Sequence, residues 1–114
     1  MIKVEAIVRE DKLEDVKEAL DRIKVTGLTV FQVMGAGVQK GYKEVVRGQE
    51  VGYSLQPKVK FEIVVSTPEW EEKTITAIRE AAYTGSPGDG KIFSYDLRMV
   101  MRIRTHEVGT AAIN

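Results

Sequence analysis

Twice along this chain a strand-like run leads into an apolar stripe at helical spacing and then into a second β-rich run, and this tandem order constrains the fold more than any other feature. Ile2, Val4, Ala6 and Val8 alternate with Lys3, Glu5, Ile7 and Arg9, a period of two that predicts a strand with one buried face. Asp11 with Glu14 three residues on has the spacing of a capping box, and Leu13, Val16, Leu20 and Ile23 then recur at helical spacing as far as Gly27. Leu28 to Gly35 is apolar and β-branched, and Val59 to Val65 repeats the pattern, which predicts two further strands. Thr67 before Pro68 reads as an N-cap with proline in the first turn, and Trp70, Thr74, Ala77, Ile78 and Ala81 form the stripe of a second helix ending near Gly85. Ile92–Leu97 and Val100–Arg104 are read as one bent strand or two short ones before a tail of small residues over 105–114.

Two β-α-β halves in tandem predict a ferredoxin-like α+β fold, βαββαβ, in which an antiparallel sheet carries both helices on one face. A chain of 114 residues suits one domain and buries roughly two thirds of its unfolded surface. The opposite face of such a sheet is bare, and Phe31, Val33, Ile63 and Val64 are assigned to it as a surface too apolar to remain in water. Self-association is the expected remedy.

Composition removes several classes of function. Seventeen basic residues balance seventeen acidic ones, so the electrostatic footprint of a dedicated nucleic-acid or anionic-membrane binder is missing. An RNA-binding relative of this fold also needs aromatic residues gathered on the sheet face, and here Phe and Tyr are scattered. Cysteine is absent, which excludes disulfides, thiolate metal sites and thiol nucleophiles. The opening residues alternate apolar with charged and no run approaches the ~20 residues of a membrane span, so the expected compartment is the cytoplasm. His106 is the only histidine, and no Ser/His/Asp, HExxH or Cys/His set can be assembled, so an enzyme is the weaker class.

Three segments carry the functional signal. Ala36 to Lys58 lacks clear periodicity and is longer than the ~12 to 15 residues usual for a connection, which marks it as a functional loop or a solvated insertion. Gly85-Ser86-Pro87-Gly88-Asp89-Gly90-Lys91 approaches the Walker A pattern, but Ile92 stands where the magnesium-binding Ser or Thr belongs, and the order is helix, loop, strand. Two readings remain, a nest of backbone N–H groups with Lys91 beside it, or a turn that ends a helix. Arg102 and Arg104, an i, i+2 pair on a strand, would project two guanidinium groups to one side, where an anion relieves their repulsion. Combined with the glycine segment they favour an anion site. Gly35-Ala36-Gly37-Val38-Gln39-Lys40-Gly41 is not a dinucleotide fingerprint, because its third glycine falls one position late and no helix follows.

Gly37-x-Gln39-Lys40-Gly41, Arg47-Gly48, Pro57-Lys58-Val59-Lys60, Thr84-Gly85-x-x-Gly88-Asp89-Gly90-Lys91-Ile92-Phe93 and Arg102-Ile103-Arg104-Thr105 together resemble the PII nitrogen-regulatory signalling family over almost the whole chain. The resemblance implies a homotrimer whose sheets face inward and which binds ATP or ADP in the clefts between subunits. It implies nucleotide contacts at Thr29, Gly37, Val38, Val64, Gly88, Asp89, Gly90, Lys91, Arg102, Ile103 and Arg104, with the two arginines reaching from the neighbouring subunit. It also implies that 2-oxoglutarate binds beside ATP through Mg2+, with contacts at Gln39, Gly41 and Lys58 and with Gln39 ligating the metal. The implied partner is an ammonium transporter or a nitrogen-metabolism enzyme or regulator, docked through the long loop, with membrane contact only through a transporter. Val38 stands where many members carry an arginine that contacts phosphate. Val51 stands where many carry a modified tyrosine, and Gln49 offers no hydroxyl where others are phosphorylated.

Overall fold

A computed structural model describes residues 1–38, 44–46, 49–51 and 53–113, without the side chains of 37, 38, 44–46, 49–51 and 53. The elements run β1 (Ile2–Arg9), α1 (Leu13–Arg22), β2 (Leu28–Val38), β3 (Glu44–Val46), β4 (Gln49–Val51), β5 (Tyr53–Val65), α2 (Pro68–Ala82) and β6 (Gly90–Asp96). β2, β5, β1 and β6 lie side by side in that order, every neighbouring pair antiparallel, and β3 and β4 form a separate two-stranded piece. The expected α+β ferredoxin-like arrangement is therefore present.

The period-two residues of β1 do what alternation predicts. Ile2, Val4, Ala6 and Val8 are buried, opposite Val65, Ile63, Phe61 and Val59 of β5, and the two rows form the floor on which Val16 and Leu20 of α1 and Ile78 and Ala82 of α2 close the core. α2 begins as expected: the Thr67 hydroxyl accepts from the Trp70 amide at 3.3 Å, and Pro68 occupies the first turn, where no amide hydrogen is needed. α1 does not. A 3-10 turn over Glu10–Lys12 precedes it, Lys12 sits at the N-cap, and no side chain caps it, so the Asp11 and Glu14 box does not form.

Three further expectations are corrected. First, β2 runs on to Val38 and β5 starts at Tyr53, paired in register from Leu28↔Ile63 to Val38↔Tyr53, so much of 36–58 is a two-stranded arm. Its ladder rests on backbone pairing, which the small residues Gly35, Ala36 and Gly37 do not advertise. β1 ends at Arg9↔Lys58, so Pro57 lies just beyond the three-stranded zone, where a missing donor costs no ladder bond. Gln39, Lys40, Gly41, Arg47 and Gly48 lie outside the described residues.

Second, Ile63 is only 1% exposed on the helix side, because adjacent strand residues point to opposite faces and Ile63 cannot share one with Val64. The open face holds Phe31, Val33 and Val64, but around a lattice of paired charges. Lys3 Nζ lies 3.0 Å from Glu62, Lys60 Nζ lies 3.7 Å from Glu5, and the Tyr95 hydroxyl donates to Glu5 at 2.7 Å. The Tyr95 hydrogen bond holds the Glu5 carboxyl below the usual range, and the Glu62 bond raises the Lys3 ammonium.

Third, Val100–Arg104 is no strand. Met101 bridges Val108 as a single pair, and the chain between them turns, with the Arg102 amide donating to the Glu107 carbonyl at 2.9 Å and His106 in the left-handed region at φ 63°. The sequence VMRIRT has β-branched and apolar residues in strand-like order, but β6 already occupies the sheet edge beside β1 and Leu97 closes that edge on the Met1 carbonyl.

Candidate functional site

The glycine segment is organised by one carboxylate. Asp89 Oδ2 accepts from the Thr84 amide at 2.8 Å and from the Gly85 amide at 3.0 Å, and its Oδ1 accepts from the Thr84 hydroxyl and from Arg9 Nε at 3.1 Å. The Thr84 hydroxyl, then the Thr84 amide, together with Arg9, hold the Asp89 carboxyl far below the usual carboxylate range. Gly88 and Gly90 flank Asp89 at φ 99° and 108°, conformations that side-chain-bearing residues rarely adopt, and a Cβ on Gly90 would lie 1.7 Å from the Ile7 carbonyl oxygen. The turn thus enters the first rung of β6 with its backbone against β1. Of the two readings of this segment, the turn is present; it lies after the end of α2 at Ala82 and opens β6.

Cations gather around it. Arg9 Nη2 donates to the Pro87 carbonyl at 2.6 Å and Lys58 Nζ to the Gly88 carbonyl at 2.8 Å. Arg9 and Lys58 face each other across β1 and β5, and Lys91 stands opposite Ile7, two residues back along β1, on the same open face. Three cations and one committed carboxylate therefore surround a turn with left-handed glycines, a composition that attracts a multiply charged anion. Arg9 was not singled out in the sequence. An outward cation at the end of an alternating strand is ordinary, and its partner Asp89 lies eighty positions away. The arm carries Gly37 and Val38 further along this same end, opposite Ser54 and Tyr53.

The remaining candidates lie at the other end of the sheet. Thr29 pairs with Glu62 and Val64 with Lys3, and both line an open depression of about 260 Å³ together with Val100, Ala112 and Ile113. The turn bearing Arg102, Ile103 and Arg104 follows Val100. Arg102 is held 3.1 Å from Glu107, and Ile103 is 89% exposed. Six positions of β1 separate Lys3 from Arg9, about 20 Å at strand rise. Within one chain, the Gly88–Lys91 turn is therefore not brought together with Thr29, Val64 or the two arginines. Gln39 and Gly41 lie outside the described residues.

The charge state of Asp89 has a measurable consequence. Its folded pKa is depressed, so the stability it contributes is complete above the unfolded carboxylate's value of about 4 and is lost as pH falls below it. The melting difference between the parent and Asp89→Asn is expected to be largest above pH 5 and to shrink progressively below pH 4. A difference constant from pH 3 to 7 would show that this carboxylate does not organise the turn. Among the described residues, no group of three His, Cys, Asp or Glu side chains is arranged to hold a metal, and no helix is long and apolar enough to cross a membrane.

The model of the family described as "Nitrogen regulatory protein P-II" matches residues 1–107. The chain is 51% identical over 113 residues to a nitrogen regulatory protein P-II of Pasteurella multocida, covering 99% of this chain and 100% of that one. It is 50% identical over 113 residues to nitrogen regulatory protein P-II 1 of Methanothermobacter thermautotrophicus, covering 99% and 97% respectively. To nitrogen regulatory protein GlnK of Escherichia coli K12 it is 46% identical over 110 residues, covering 96% and 97%. All three are named as regulatory proteins, not enzymes.

Proposed function

Because this chain belongs to the nitrogen regulatory protein P-II family, we propose that it is a signalling protein that reads ATP or ADP and 2-oxoglutarate in clefts between the subunits of a cytoplasmic homotrimer. The output would pass through the 36–58 region to an ammonium transporter or to an enzyme or regulator of nitrogen metabolism. The observation that carries this reading is the division of the candidate residues between opposite ends of one sheet. The Gly88–Lys91 turn with Arg9, Lys58 and Lys91 suits phosphate, and the Thr29 and Val64 depression, from whose Val100 wall the chain runs on to Arg102 and Arg104, suits the remainder of a nucleotide. A ring of heterologous contacts, in which one end of each chain meets the opposite end of the next, would assemble both halves in every cleft.

The open face supports such assembly. Phe31, Phe93 and Tyr95 are each more than 40% exposed, and the charges among them are already paired within the chain, so covering this face would bury apolar surface without isolating a charge. Lys58 is the residue through which the two ligands would be coupled. It already touches the Gly88 carbonyl, so a carboxylate at its ammonium would bear directly on the turn that holds phosphate. Mg2+ suits this arrangement because it keeps few protein ligands and is held largely by phosphates and water, here with the amide of Gln39. Val38 removes the arginine that many members place at the phosphates, which leaves Arg9, Lys58 and Lys91, among the described residues, as cations of that end.

Calorimetric titration of 2-oxoglutarate into the protein with ATP and Mg2+, with ADP, and without nucleotide tests the coupling. Binding is expected with ATP and Mg2+ and to be much weaker otherwise; equal binding in all three would end the coupled-sensor reading. Lys58→Ala is expected to weaken 2-oxoglutarate at least tenfold, the loss of a charge-assisted contact of about 1.5 to 3 kcal/mol. ATP affinity should fall less, because water can replace the ammonium at the exposed Gly88 carbonyl.

A further inference from the structure

We propose that the cavity between the end of α2 and the start of β6 is a binding site for a small carboxylate with an apolar body. It is an open cleft of about 300 Å³ on the helix side of the sheet, away from the open face. Its floor is apolar: Val8, Ile78 and Ala82, all buried, and the half-buried Ile92. A cavity of this volume, with an apolar floor and a few polar groups at one edge, is at the lower limit of size for small-ligand sites.

The polar residues of the wall are Arg79, Tyr83, Asp89 and Lys91, and the Lys91 side chain stands on the open face of the sheet, in register with Ile7. The Arg79 guanidinium lies over the Tyr83 ring at 5.7 Å from its centre, a contact that biases this exposed side chain toward the rim. Among the described residues, Arg79 has no carboxylate partner. The one acid in the wall, Asp89, is already matched by Arg9 at 3.1 Å and by the Thr84 and Gly85 amides, so it neither neutralises Arg79 nor presents an unbalanced charge to a ligand. A guanidinium at the rim of an apolar floor favours a carboxylate over a neutral amphiphile. It also selects a compact apolar body over a dianion such as a phosphate monoester, which has nothing to place on Val8, Ile78 and Ala82.

The cavity shares Asp89, Gly90 and Lys91 with the turn proposed to hold phosphate, but the inference does not depend on that reading, and its test uses the full chain without nucleotide. 4-Methylpentanoate is titrated at constant ionic strength and followed by amide shifts in an NMR spectrum, with 4-methylpentanamide as the uncharged control. The expected result is a saturable shift at Val8, Ala82, Tyr83, Gly90 and Ile92, with the amide binding at least tenfold more weakly. Arg79→Gln, a change at an exposed position, is expected to weaken the acid at least tenfold while leaving the amide unchanged. Ala82→Leu, which fills the floor, is expected to weaken both. No saturable shift up to 20 mM acid, equal binding of acid and amide, or unchanged affinity in Arg79→Gln would each overturn the proposal.

Discussion

Gly90→Ala is expected to destabilise the protein by about 3 to 5 kcal/mol, a large fraction of the total stability of a domain of this size. Two costs combine. The φ of 108° is one that residues with a side chain rarely adopt, and the added methyl would sit 1.7 Å from the Ile7 carbonyl oxygen. Neither side can yield cheaply, because Ile7 belongs to β1, which is held between β5 and β6 by continuous ladders. Gly88→Ala supplies the contrast. Its φ of 99° is also unfavourable, but its nearest neighbours are the ends of Arg9 and Lys58, flexible side chains that can swing away. Its cost should stay near the strain term alone, about 1 to 3 kcal/mol. Denaturant melts of the two variants beside the parent check this. Gly90→Ala within about 1 kcal/mol of the parent would mean that β6 does not approach β1 as described.

Mixing two nucleotide-defective variants is expected to restore binding that neither has alone. Arg102→Ala removes a guanidinium from one end of the sheet and Lys91→Ala removes an ammonium from the other, each expected to weaken ATP at least tenfold through loss of a charge-assisted contact. If each cleft takes its phosphate turn from one subunit and its arginines from the next, a mixed trimer contains clefts in which both contributions are intact. Random assembly of equal amounts should restore about one quarter of the clefts to parental affinity. The measurement is the stoichiometry of tight ATP sites after co-refolding, compared with the two variants refolded separately. A site completed within one chain predicts no recovery at all. The separation of Thr29, Val64 and Arg102 from Gly88–Lys91 along β1 is what makes the outcome informative.

Signals that are local in the chain were legible, and signals that depend on a distant partner were not. The Thr67 and Pro68 start of α2 could be read because a cap needs only the residues of its own first turn. The Asp11 and Glu14 box uses the same chemistry, yet the 3-10 turn that follows β1 directs the chain so that Lys12 takes the cap position. From the sequence, Ile63 and Val64 are both assigned to the open face, although adjacent strand residues cannot share one, and the ladder with β1 decides that Ile63 is the one turned to the helices. Arg102 and Arg104 had a strand's spacing without a strand's neighbour, since the only edge beside β1 was already occupied by β6.

By itself, then, the sequence determined the order of the two helices and the four strands of the main sheet, the buried row of β1, and a family membership carried by the Thr84–Phe93 and Arg102–Thr105 runs. These are recorded in neighbouring residues, where alternation, helical spacing and turn glycines act over a few positions. Only the tertiary structure decided that Arg9 and Lys58 hold the turn around Asp89, that the open face is a lattice of paired charges, and that the candidate residues divide between two ends of the sheet. Those outcomes depend on strand order and register. They bring together residues as far apart as Arg9 and Asp89, whose separation leaves no pattern along the chain.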